Sequence, residues 1–523
     1  MEIIDKLNNL GISTDRKKIC VFDGLKILEE SENDNSELRK AIINHIPSKE
    51  SAYEFNFFRK TILDKKYIEC NYLLNNHYCN GFLDVFFILS NPYLFESEIF
   101  DILYTRRDEI NNITTHIKKS WDKILSSDLR KFYNTILINK WLATLEFKII
   151  SKYDYLKINN KANSEDIYNK YQQIYHIFDK NICEIREYIY TLNDQIKNIN
   201  HPGCFNLDHE YYYYFIKLFT GLDIDKNRIN ILFRYALREL TRLQKEYREL
   251  ITHIYPHSTN MKISDINRLI KDDVSFKFKS KAHFKKTHED LIKELHKYFI
   301  EIGGIIEFNP VNLAFIDDPN LSIAYWAYDT FYLNLANWDK LSTYESLALT
   351  LHEAIPGHHT QLNYSINSDN NPQNILYNLF GLTNGFCEGW ALFVESSYPE
   401  FKSTDHIGRI QYEILRTLRI IIDIGLNFVG ISIEDCKDFV KKYLAFDDKI
   451  IEAEIFRYVT MPGQALCYKL GCEIFRKIQE KYEEKYGETN LMELYKKIIY
   501  GKEKTLESLL HENNLTFEEV FDI

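Results

Sequence analysis

Turn-forming residues are scarce. Only 10 prolines and 18 glycines occur among 523 residues, too few for the turn density of a β-sandwich or barrel, so long helices are favoured. No two cysteines form C-x-x-C, and the nine present are scattered singly. That pattern excludes a disulfide framework and fits reduced thiols in a cytoplasmic protein. No window approaches 18 consecutive apolar residues, so no membrane span is expected. The opening MEIIDKLNNLGISTDRKK has no apolar core segment, so no export signal is visible and a cytoplasmic location is expected. Positive charge is in deficit: 65 Lys and Arg stand against 76 Asp and Glu, a net charge of −11. Nucleic acid and anionic membrane are therefore not expected as the main partners.

What is present is an ordinary soluble balance, 45% hydrophobic and 27% charged, on a chain long enough for two or three subdomains. Residues 1–200 carry apolar positions at three- and four-residue intervals, as in YEFNFFRKTILDKKYIECNYLL, and read as an N-terminal helical region. His116 and His176 sit among these helices and are read as structural. Asn200 to Cys204, NHPGC, interrupts the pattern and marks the boundary with residues 201–523. Helical periodicity resumes through Tyr211–Tyr214, a long amphipathic helix over 224–256 and further helices over 258–303. The period then changes. IIEFNPVNLAFID and SIAYWAYDTFYLNLAN are rich in β-branched and aromatic residues and predict two or three strands. The stretch from Ala324 to Asn334 is either an edge strand that binds extended peptide backbone or a packing strand.

The densest chemistry lies in LTLHEAIPGHHTQLNY, Leu349 to Tyr364, which places His352, Glu353, His358 and His359 within eight residues. Two imidazoles on a helix beside a free carboxylate suit a hydrolytic zinc site, with the Glu as proton acceptor. The H-E-x-x-H spacing fails, because Pro356 stands where the second His belongs. In a regular helix His352 and His358 differ by about 600° and face apart, while His352 and His359 share a face but stand about 10.5 Å apart along the axis. Pro356 removes a hydrogen bond and Gly357 adds backbone freedom, so a widened turn or π-bulge between Ala354 and Gly357 is expected. This makes His352 and His358 the ligands. His359 is the alternative ligand or a neighbour of the site.

Downstream, NGFCEGWALFVESSYPEF predicts a helix after a break at Gly385, with Glu388 held among apolar and aromatic residues. Glu388 is the expected third ligand, since His, His, Glu and an open position make a catalytic zinc set. Glu395, seven residues on, either orients a ligand His or is a surface carboxylate. A third constellation, AEIFRYVTMPGQALCYKLG, opens a new helix at Pro462-Gly463. Its Arg457, Tyr458 and Tyr468 are candidates to hold a substrate carboxylate or a developing oxyanion. Gln464 and Asn334 are further substrate-facing candidates.

HEAIPGHH, EGWAL and RYVTMPGQALCYKLG, in that order, resemble the domain-of-unknown-function 885 family of bacterial proteins, itself similar to gluzincin metallopeptidases. The resemblance covers residues 200–523 most clearly. It implies a mainly α, zincin-like peptidase with a small β-sheet next to the active-site helix and a long cleft. It assigns His352, His358 and Glu388 to Zn2+, Glu353 to the general base, and Tyr458 or Arg457 to the substrate. Two departures stand out: Leu494-Tyr495-Lys496 replaces a Phe-His-Asp-like segment, and many relatives look exported. The expected function is zinc-dependent hydrolysis of short peptides, with exopeptidase action favoured by a cleft walled by long helices. The alternatives are a metal-dependent amidohydrolase acting on a modified peptide or small amide, and a non-catalytic helical binding protein on the same fold.

Overall fold

A computed structural model describes residues 209–317, 323–327, 329–368, 382–446, 448–487 and 491–522. It also describes 2–10, 33–45, 47, 52–66 and separate positions from 107 to 191. The chain divides into two compact units, residues 1–46 with 59–203, and residues 47–58 with 204–523. In the first unit the described helices include Glu2–Asn9 and Glu37–Asn44, the latter capped by the Ser36 side chain. His176 is exposed on a helical segment. Much of the expected helical pattern of residues 1–200 lies outside the described residues, as do His116 and the Asn200–Cys204 boundary.

The second unit is mainly helical with one small sheet. Beyond the helix Ala52–Ile62, part of which falls in it, its elements are α1 (His209–Thr220), α2 (Lys226–Ile254), α3 (Ile263–Asp272) and α4 (Lys281–Leu295). Strands β1 (Asn312–Ile316), β2 (Ala324–Ala327) and β3 (Thr330–Asn334) follow. Next come α5 (Ser346–Glu353), α6 (His358–Ser368), α7 (Asn384–Val394) and α8 (Asp405–Ile424). The chain ends with α9 (Ile433–Lys441), α10 (Asp448–Thr460), α11 (Cys467–Tyr486), α12 (Leu491–Tyr500), α13 (Leu506–Glu512) and α14 (Phe517–Phe521). No described helix is long and apolar enough to cross a membrane.

The long amphipathic helix expected over 224–256 is α2, begun by Asp225, whose side chain accepts from the Arg228 N–H at 2.8 Å. The sheet has the order β1-β3-β2, with β3 parallel to β1 and antiparallel to β2. The stretch Ala324–Asn334 is thus two strands rather than one. β3 is buried along its whole length and β2 stands at the end of the order.

Helix α7 packs along α11, and α2 along α8. The first contact is unusually close because both helices present glycine. A Cβ built on Gly389 would lie 2.4 Å from the Gly471 Cα, and one on Gly471 would lie 2.1 Å from the Gly385 carbonyl oxygen. Gly385 therefore lies inside α7, not in a break before it; its role is close approach. Buried around this seam are Phe386, Trp390, Phe393 and Phe475. Tyr495 of α12 packs edge-on against Trp390 at 5.6 Å and Phe393 at 5.8 Å, so within Leu494-Tyr495-Lys496 the tyrosine buttresses α7.

A buried ion network ties α2, α8 and α11 together. Lys469 is fully buried, and its Nζ lies 2.8 Å from Glu239, 2.6 Å from Glu413 and 2.8 Å from Glu473. Three carboxylates this close have the spacing of a metal cage, but the ammonium sits among them and supplies the cation. Arg242, Arg409 and Arg476 bind the outer faces of the same carboxylates. Such a network favours one packing over others, because removing one partner strands a buried charge.

Because the α7–α11 seam has no room for a methyl group, Gly389→Ala is predicted to lower the unfolding free energy by at least about 1–3 kcal/mol. Urea denaturation of the two proteins measures it, and an unchanged midpoint would refute the tight seam.

Candidate metal centre

Helix α5 is buried from Ser346 to His352. A buried helix must satisfy its polar groups internally, and Thr350 does so by donating to the Ser346 carbonyl at 2.7 Å. Between Ala354 and Gly357, where the sequence predicts a π-bulge, the chain instead leaves the helix altogether. α5 stops at Glu353, Ala354 adopts φ −111° and ψ −99°, and a separate helix starts at His358. The Ile355–Pro356 bond is cis. Pro356 cannot donate an N–H, so the first helix has no continuation there. Gly357 is obligatory in this break, since a Cβ would fall 2.0 Å from the His352 carbonyl oxygen. The Trp390 indole of α7 donates to the Pro356 carbonyl at 2.9 Å and fixes the break against the next wall.

The break lets His352 and His358 meet. Their rings are 4.8 Å apart and nearly perpendicular. Glu388 faces both: its Oε2 lies 3.6 Å from His352 Nε2 and 3.5 Å from His358 Nε2. One ligand atom from each of the three residues falls within 4.8 Å of the others. Two atoms bound at about 2.0–2.1 Å to one tetrahedral ion stand about 3.3–3.4 Å apart. The observed separations are long for hydrogen bonds and close to that value.

The surroundings set the electronic state of these groups. His352 Nδ1 donates to Glu395 Oε1 at 2.8 Å, which leaves Nε2 directed at Glu388. Burial alone would lower the pKa of the His352 ring, but Glu388 and Glu395 outweigh it and raise it to about 9. Burial likewise opposes ionisation of Glu388, yet the two imidazoles hold its carboxyl well below the usual range. A divalent cation would replace the protons that these acceptors now share. Glu395 is 1% exposed, and Arg416 reaches its Oε1 at 3.5 Å. Glu353 is half-buried, with no hydrogen-bonded or ion-paired partner among the described residues, and its charge acts on His352.

The remaining candidates separate. Tyr468 donates to Glu388 Oε1 at 3.0 Å, and its ring lies parallel to His352 at 6.4 Å. Arg457 donates to the Tyr468 hydroxyl at 2.8 Å and to Gln464 Oε1 at 3.1 and 2.6 Å. Tyr458 is 2% exposed and donates to Glu454 at 2.6 Å, so its hydroxyl is committed away from the three ligands. His359 uses both ring nitrogens elsewhere: Nε2 lies 2.8 Å from the Asn309 carbonyl, and Nδ1 accepts from the Trp326 indole at 3.3 Å. It clasps β2 rather than joining the trio. Asn334 is fully buried in β3 and accepts from the Ala336 N–H at 3.0 Å.

Sequence reasoning missed Arg416, Arg419 and Glu454. Arg419 holds Glu454 through two bonds of 3.1 Å and stacks over Tyr468 at 4.6 Å. The available signal was EILRTLRIIIDI, two arginines three apart in an apolar run, where buried charge demands partners.

The turn that carries Gln464 is pinned by Asp423 of α8, which accepts from the Gly463 N–H at 3.0 and 3.1 Å and from the Tyr212 hydroxyl at 2.6 Å. Gly463 needs its φ of 82° there.

The family model described as bacterial protein of unknown function (DUF885) matches residues 157–492. Two solved structures share the fold. A candidate lipoprotein from Colwellia psychrerythraea aligns over 82% of this chain and 77% of its own, with TM-score 0.67 and 15% identity. A candidate lipoprotein of unknown function from Shewanella oneidensis aligns over 94% of this chain and 92% of its own, with TM-score 0.67 and 14% identity. No curated protein matches the sequence.

Burial pushes the Asp423 carboxyl from its ordinary 3.8 up to about 7, although Tyr212, Gly463 and Asn427 pull it down. An acid whose pKa is raised on folding favours the folded state below the unfolded value and loses that contribution as pH rises through the folded one. Urea melts across pH 4–8 should therefore show a wild-type loss with rising pH that Asp423→Asn reduces. Identical profiles would contradict the assignment.

Proposed function

The chain belongs to the family of bacterial proteins of unknown function (DUF885), and within that family we propose that it is a zinc-dependent peptidase acting on short peptides. The observation that carries this reading is the convergence of His352, His358 and Glu388 at tetrahedral ligand spacing, with Glu353 next to His352 in the chain.

Zinc, when bound, supplies Lewis acidity that polarises a carbonyl and makes water acidic near neutral pH. The chain's own groups do the rest. Glu353 accepts a proton from the attacking water and passes it to the departing nitrogen. Glu395, backed by Arg416, keeps the Nδ1 proton of His352 in place so that Nε2 stays a donor to the ion. Tyr468, whose hydroxyl accepts from Arg457 and donates to Glu388, is the expected oxyanion stabiliser that touches a candidate ligand. Tyr458, committed to Glu454, supports this wall indirectly. β2, one of the two end strands of the sheet and the one clasped by His359, is the strand assigned here to align extended peptide.

The purified protein should carry about one zinc per chain, lost in His352→Ala and Glu388→Ala and kept in His359→Gln. Glu353→Gln should keep its zinc and lose roughly 10²–10⁴ of its turnover of a mixed peptide pool. Metal analysis and product mass spectrometry read both. Full turnover by the Glu353 variant would end the mechanism, and a chain without bound zinc would favour a binding protein.

A further inference from the structure

The two oxygens of Glu388 face different groups. Oε2 faces the imidazoles, while Oε1 accepts from the Tyr468 hydroxyl. Three guanidiniums gather around the Tyr468 ring: Arg419 at 4.6 Å, Arg457 at 5.5 Å and Arg416 at 5.7 Å from its centroid. They differ in access. Arg416 faces Glu395, and its side chain is 11% exposed. Arg419 grips Glu454 and is 7% exposed. Arg457 keeps 29% of its side chain exposed. Gln464 and the Tyr468 hydroxyl fix its guanidinium, and its Nη1 lies 4.0 Å from Glu454, which Arg419 and Tyr458 also bind.

Position then gives Arg457 a specific reach. Two hydrogen bonds, 2.8 and 3.0 Å, join its guanidinium through Tyr468 to Glu388. Laid end to end they place the cation no more than about 6 Å from the Glu388 carboxylate. One extended residue spans about 3.3–3.6 Å, and a guanidinium–carboxylate contact adds about 2.7–2.9 Å. A carboxylate one residue beyond a carbonyl lying beside Glu388 is therefore within the reach of Arg457.

We propose that Arg457, held by Gln464 and Tyr468, receives the free carboxylate of the substrate's last residue, so that single amino acids are removed from the C-terminus of short peptides. The proposal rests on the peptidase reading and narrows its substrate class. Water gives its hydroxyl to the acyl carbon, the C–N bond breaks, and the water's other proton goes to the amine of the released amino acid.

The test uses the full-length, zinc-loaded protein and an N-acetyl dipeptide, offered as the free acid and as the C-terminal amide. Calorimetry on Glu353→Gln measures binding, and kcat/KM on the wild type measures turnover. The acid should be preferred by roughly 10²-fold in both, the value of one charge-assisted pair. Arg457→Ala and Arg457→Gln, the second retaining a hydrogen-bonding side chain, should bring acid and amide within a few-fold of each other. Equal handling of the two peptides by wild type, or a preference that survives both Arg457 variants, overturns the proposal while leaving Glu353-dependent hydrolysis standing. Acid-selective, Arg457-dependent binding without any hydrolysis overturns the peptidase reading and leaves the carboxylate subsite.

Discussion

Pro356 and Gly357 end one buried helix and let a second begin at His358. The carbonyl of His352 passes so near Gly357 that no side chain fits there. In an unbroken helix the two imidazoles would face apart by more than a quarter turn. With the break they stand face to edge, 4.8 Å apart, across one carboxylate. The Trp390 indole holds the break by its Pro356 carbonyl, and Trp390 and Glu388 belong to the same helix. The element that bends the histidines together is therefore fastened to the element that presents their third partner.

A second constraint works from behind. The glycine seam of α7 and α11 holds the two helices close, and across it Glu388 of one accepts from the Tyr468 hydroxyl of the other. The adjacent Lys469, fully buried among three carboxylates, locks the same helix from its other side. Charge is thus layered around the candidate centre. His352 passes to Glu395 and then to Arg416, while Tyr468 passes to Arg457, with Arg419 and Glu454 beside it. Each buried carboxylate in these chains meets a cation or a proton donor, which is what burial requires.

Much of this was legible in residue order. A His-Glu pair on an apolar helix, a second His after Pro-Gly, and a Glu beside a Trp have chemistry that composition alone does not excuse. The helix over 224–256 followed from apolar spacing. The form of the break was not legible, because Pro permits a bulge, a kink or a full stop, and tertiary contacts such as Trp390 to Pro356 decide among them. Gly385 read as a breaker because glycine's local and packing roles look alike until the opposing helix is known. Tyr458 and Tyr468 lie on different helices, and only packing separates the one tied to Glu454 from the one tied to Glu388. Asn334 accepts from the Ala336 backbone, and His359 bonds the Asn309 carbonyl and Trp326, contacts that sequence order does not show.

The central claim is that two imidazoles and one carboxylate share a divalent ion. X-ray absorption at the zinc edge of the purified protein addresses it without any substrate. The account predicts a first shell of nitrogen and oxygen alone at about 2.0–2.1 Å, with the imidazole scattering lost in His352→Ala. A shell containing sulfur, or one whose imidazole signal is unchanged by that substitution, would contradict it.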